Sequence, residues 1–167
     1  MAEEIINRVA NSKLVTIDLE NFYPEGKRVA FDIKEWLFQE LVLREKEFRK
    51  YVNDHDWSQY QDNYIAINCT ADAIIPAWAY MLVTINLEPF AKKIILGSLE
   101  DLETSVYQNI IANLNLENYK DKPIIIKGCS KKPVPTSAYL MLTSHLKPVV
   151  KSIMFGEACS FVPLYKK

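Results

Sequence analysis

The sequence predicts an α/β protein: a mostly parallel sheet built from a duplicated strand–helix–strand unit, preceded by an N-terminal strand and a long helix. Three observations lead there. Pro76 to Gly97 (PAWAYMLVTINLEPFAKKIILG) aligns without a gap on Pro135 to Gly156 (PTSAYLMLTSHLKPVVKSIMFG), at a constant offset of 59, with nine of 22 residues identical. Self-similarity at a fixed spacing marks a duplicated supersecondary unit. Each copy follows a short β-branched run, YIAIN at 64–68 and PIIIK at 123–127, of the kind that suits a buried strand. These runs alternate with helical stretches, and parallel strands need crossovers of about a dozen residues or more.

Taken in chain order, KLVTIDL at 13–19 and RVAFD at 28–32 read as strands, and 33–52 reads as one long helix after Asp32. The run at 64–68 opens the first copy. Pro76 is tolerated at a helix start, and Tyr80, Val83, Thr84 and Leu87 recur at helical spacing. Pro89 then closes the helix, since proline offers no N–H and disfavours helix in its predecessor. KKIIL forms the second strand, stopped by Gly97. The next segment, SLEDLETSVYQNIIANLN, begins with Ser98 as cap and Asp101 three residues on, and reads as the crossover helix. The second copy repeats the order through Pro135, Tyr139, Leu142, Thr143, Leu146 and Pro148 to KSIMF and Gly156. FVPLY near the end suits an edge strand, because its proline fits poorly inside a sheet. Together these elements predict a four-stranded parallel core.

A chain of 167 residues fills one hydrophobic core. A single domain is therefore expected over 1–167: N-terminal strands and helix at 1–62, first repeat at 63–97, crossover helix at 98–121, second repeat and terminal strand at 122–167. Twenty basic and twenty-one acidic side chains leave a formal charge of −1, without the footprint of a phosphate-backbone binder, so no nucleic acid partner is expected. The start, MAEEIINRV, lacks the basic and apolar regions of a signal peptide, and no apolar run is long enough to span a membrane. Three cysteines cannot pair completely, which fits reduced thiols and a cytoplasmic location. With four glycines and no phosphate-binding motif, no nucleotide cofactor is expected.

The chemistry-bearing candidates are Cys69, Cys129 and Cys159. In a parallel sheet the strands end on one side, where ligands gather. Each cysteine follows a strand, so the three thiols are expected on one edge. Three thiolates and a fourth donor suit zinc or iron, with His55 first, Asp72 second and Glu157 third as that donor. Cys69 alone also suits simple packing, and His55 suits a hydrogen-bonded loop position beside Trp57. Tyr80 and Tyr139 read as core, and His145 as solvent-facing.

The segments NCTADAIIPAWAY, KGCSKKPVP and GEACSFVPLYKK, with DIKEWLF and HDWSQYQ upstream, resemble a bacterial domain-of-unknown-function family over nearly the whole chain. The resemblance implies an association with genes for iron–sulfur cluster assembly, iron–sulfur assembly proteins as partners, and a metal-binding role that falls on Cys69, Cys129 and Cys159. Two other functions compete with it. One is a thiol enzyme in which Cys129 attacks a substrate, activated by Lys131 and Lys132 or a helix N-terminus, while Asp72, Glu157 or His55 transfers a proton. The other is an interaction module without chemistry.

Overall fold

The computed structural model describes residues 13–128 and 130–167; residues 1–12 and Cys129 lie outside the described residues. The strands are β1 (Val15–Ile17), β2 (Arg28–Asp32), β3 (Tyr64–Asn68), β4 (Lys93–Leu96), β5 (Pro123–Ile126), β6 (Ser152–Glu157) and β7 (Ser160–Lys166). The α-helices are α1 (Glu45–Asp54), α2 (Ala77–Leu87), α3 (Leu99–Ala112) and α4 (Thr136–Leu146). The class is α/β with mostly parallel pairing, as expected. The duplicated units are β3–α2–β4 and β5–α4–β6.

The single four-stranded parallel core is corrected. There are two sheets, ordered β2–β3–β4 and β1–β5–β6–β7. The reason lies in backbone hydrogen-bond capacity. A strand has two edges, and each central strand has both occupied: β3 by β2 and β4, β5 by β1 and β6, all parallel. Each copy of the repeat thus recruits its own N-terminal strand, leaving no free edge on the central strands through which the copies could join. The chain accordingly forms two compact units, an inserted unit, Pro24–Ser105, and a flanking unit comprising the described residues up to Tyr23 with Val106–Lys167.

In the inserted unit, β3 is buried along most of its length, and Ile65 and Ile67 pack with Ala79, Val83 and Leu87 of α2 and with Phe48 and Val52 of α1. The fully buried stripe of α2 therefore runs through Ala79, one residue before the predicted Tyr80. The long helix expected over 33–52 does not form. Asp32 caps a 3-10 turn, Ile33–Trp36, by accepting from the Lys34 amide at 2.9 Å. Gln39 and Glu40 then adopt φ of 50° and 56°. A right-handed helix cannot continue through that left-handed region. Helix resumes at Glu45 after Phe38 bridges to Val42.

Beyond β4, Gly97 has φ of +143°, and a Cβ there would fall 2.6 Å from the Asp101 carboxylate. That carboxylate accepts from the amide and hydroxyl of Ser98, whose Oγ accepts from the Asp101 amide at 3.1 Å, completing the predicted cap of α3.

In the flanking unit, Ile124, Ile126 and Ile153 pack with Ala138, Leu142 and Leu146 of α4, and with Leu19 and Tyr107. The Tyr107 hydroxyl donates to the Leu19 carbonyl at 2.8 Å. The expected strand at 13–19 is shorter, because Asp18 turns the chain into a 3-10 turn by accepting from Glu20 at 3.0 Å. The terminal segment is an edge strand, as predicted. It runs antiparallel to β6, with a register shift at Ile153/Met154 where Leu164 is the extra residue between Pro163 and Tyr165. Gly156 does not stop β6, which continues through it to Glu157.

Candidate functional site

Parallel strands expose backbone and loop groups at their carboxyl ends, so those ends are where each unit's chemistry is to be sought. In the inserted unit, β2 ends in Asp32 and β3 in Asn68. Asp32 accepts from the Thr70 amide at 3.1 Å and from the Thr70 hydroxyl at 2.5 Å, besides the Lys34 amide. Burial acts to raise the Asp32 carboxyl, but the bonds from Thr70 and Lys34 outweigh it and hold the group below its ordinary value. Burial, with the fields of Cys69 and Asp32, pushes the nearby Tyr80 hydroxyl up. Cys69 is half-buried against the apolar cluster, its Sγ 3.9 Å from the Ala71 carbonyl.

His55 sits among rings. Trp57, Trp36, Tyr60 and Phe31 have centroids 4.8, 5.2, 5.6 and 5.7 Å from its own. It shares a 2.8 Å hydrogen bond with the Tyr60 hydroxyl, and burial lowers its pKa against the opposing pull of Asp56. Asp72 is exposed. His55, Cys69 and Asp72 thus belong to one unit but do not converge: among the described residues, no group of three or more His, Cys, Asp or Glu side chains is placed to hold a metal ion.

In the flanking unit, β5 and β6 are parallel neighbours in the register Ile126↔Phe155. The segment that leaves β5 and the turn that leaves β6 therefore open on one edge. The first begins at Lys127, whose ammonium meets Asp18 Oδ2 at 3.2 Å. The bond and charge of Asp18, then the charges of Glu157 and Glu20, raise the Lys127 pKa. Further on, the Lys131 amide donates to Glu20 at 3.0 Å. The Phe155 ring lies so close over Gly128 that a Cβ there would come within 2.8 Å. The β6 turn carries Cys159, which is exposed. The shared edge of β5 and β6 therefore joins this turn to the loop after β5. It does not extend to Cys69, which follows a strand of the other sheet. His145, expected to face solvent, is half-buried and lines a cavity of about 420 Å³ with Gln108, Ile111 and Met141.

Sequence reasoning missed Asp18, Glu20, Asp32, Thr70 and Lys127. A signal existed: VTIDL at 15–19 and VAFDI at 29–33 both place an aspartate at or just past a strand's end, followed by a buried aliphatic residue. At the offset of 59, Lys127 replaces Asn68 and Cys129 replaces Thr70, so the two copies offer different chemistry opposite equivalent aspartates.

Two units, each built on parallel strands with polar residues at their carboxyl ends, define an α/β protein. Residues 3–167 match the family described as "Protein of unknown function (DUF2480)", and the chain belongs to that family. No curated protein and no solved structure matches it. No helix among the described residues is long and apolar enough to cross a membrane.

Proposed function

We propose that the protein works through thiols at the carboxyl edge of β1, β5 and β6, where Cys129 and Cys159 ligate one zinc or iron ion. The observation that carries this reading is the parallel pairing of β5 with β6, after which the two cysteines follow in sequence. Sulfur ligands select such metals, and Asp18, Glu20 and Glu157 of the same unit supply carboxylate oxygens to complete four donors. The described residues by themselves furnish no three-ligand group, so the reading requires Cys129. Cys69, His55 and Asp72 are not part of it. The setting it fits is an accessory to iron–sulfur or zinc handling, with iron–sulfur assembly proteins as partners.

The test is elemental analysis of freshly purified protein. About one zinc or iron per chain is expected, lost in Cys129→Ser, with Cys159 protected from alkylation until a chelator is added. Absence of metal, with Cys159 alkylated at the same rate with and without chelator, refutes it. One observation favours a second reading, a thiol nucleophile: Thr70, the repeat counterpart of Cys129, bonds Asp32, the counterpart of Asp18. A carboxylate and the Lys127 cation near a thiol could take its proton and stabilise the thiolate. That reading expects Cys129 to alkylate fast at neutral pH regardless of chelator, and slowly in Lys127→Gln.

A further inference from the structure

α4 does not bury all of its apolar surface. Leu140 is 66% exposed: two residues from fully buried Ala138 and Leu142, it falls on the opposite face of the helix. With Tyr139, Thr143 and Lys147 on the helix, Phe155 on β6 and Leu164 on β7, it lines a cavity of about 580 Å³. That volume lies within the range of small-molecule sites, roughly 300–1,000 Å³. Tyr139 and Phe155 meet edge to face at 5.8 Å, which stiffens one end. From Tyr139 to Lys147 the helix rises roughly 12 Å, so the trough runs along about two turns of α4.

Its charge is one-sided. Among the described residues, Lys147 is the one charged residue on its lining. Among the described residues Lys147 forms no ion pair; its Nζ lies 5.6 Å from the Tyr165 ring centroid. It caps the C-terminus of α4, just before the edge at which β6 begins. There the Lys151 amide donates to Lys122 and the Lys167 amide to Lys151, both at 2.9 Å, setting three lysines in a row across the sheet. Among the described residues, Lys167 alone of these pairs with a carboxylate, Asp121 at 3.8 Å. The first copy of the repeat keeps the walls, with Tyr80, Met81, Thr84 and Leu96 at the equivalent positions, but has Glu88 in place of Lys147.

We propose that this trough binds a single-chain anionic amphiphile of the fatty-acid type. The alkyl chain lies along α4 between Leu140, Phe155 and Leu164, and the carboxylate pairs with Lys147 under the positive field of the lysine row. Charge complementarity selects the head group, and the concave apolar wall selects a chain that can be enclosed. A peptide strand added at the open edge of β7 fits less well, because Pro163 offers no N–H and the bulge disrupts the ladder. The site is independent of the cysteines.

Isothermal titration of the full chain with decanoate, below its micelle-forming concentration, tests the assignment. Saturable binding of one decanoate per chain is expected, with no comparable heat from acetate or decyltrimethylammonium. Lys147→Glu should weaken it by about tenfold or more, the scale of a lost charge-assisted bond. Leu140→Asp, at an exposed position that leaves the fold intact by circular dichroism, should abolish it. Absence of saturable binding overturns the proposal. So does equal binding of the cationic amphiphile, indifference to both substitutions, or association with anionic vesicles but not with free decanoate.

Discussion

Glu103 is a buried carboxylate whose removal should unfold the inserted unit more readily than any surface change. Its Oε1 lies 2.7 Å from Arg28 Nε, and the two side chains are only 8% and 11% exposed. The Arg28 guanidinium also donates to the Pro24 and Gly26 carbonyls at 2.8 and 2.6 Å and stacks 4.5 Å from the Tyr64 ring. Glu103→Leu leaves that guanidinium buried and without its carboxylate, a loss of roughly 3–5 kcal/mol in comparable buried pairs. With a urea dependence of about 2 kcal/mol per molar, the unfolding midpoint should fall by roughly 1.5–2.5 M. Tryptophan emission reads this unit alone, since Trp36, Trp57 and Trp78 all lie within Pro24–Ser105. The double variant Arg28→Met/Glu103→Leu removes both charges and should recover most of the loss, because much of the penalty belongs to the buried guanidinium deprived of Glu103 and not to the missing attraction. A single-variant loss under about 1 kcal/mol, or a double variant as unstable as the single, would refute the reasoning.

Two further outcomes follow from local geometry. Asp32 is held below its ordinary pKa in the folded state, so its contribution is fully present above the unfolded value of 3.8 and is lost as pH falls below it. Thr70→Val, which removes the hydroxyl donor, should therefore lower the urea midpoint more at pH 6 than in acid below the unfolded value; an equal loss at both would show that the bond to the carboxylate is not the cause. Gly97→Ala places a methyl where φ is +143° and the Asp101 carboxylate stands 2.6 Å away. A loss of about 1–3 kcal/mol is expected, smaller when Gly97→Ala is made in an Asp101→Ala background and compared with that background, where the clash is relieved, as chemical denaturation would record.

The amino-acid sequence determined the class and the local elements. Nine identities over 22 positions announced the repeat, and β-branched runs, prolines at helix starts and the Ser98–Asp101 cap each form as read, because those signals act over a few residues. Pro163 marked an edge strand for the same reason. Tertiary structure decided what depends on partners far along the chain. β1 pairs with β5 and β2 with β3, and no local pattern states which central strand an N-terminal strand will join. From that pairing came two sheets in place of one, and with them the loss of the argument linking Cys69 to the edge that follows β5 and β6. The helix expected over 33–52 failed where Gln39 and Glu40 turned left-handed, a backbone choice that their side chains do not signal. Asp18 and Asp32 stood out by no local pattern of their own. Only folding brought Lys127 to the first and Thr70 to the second, 109 and 38 residues away, because hydrogen bonds between strand ends obey sheet pairing and take no account of distance along the chain.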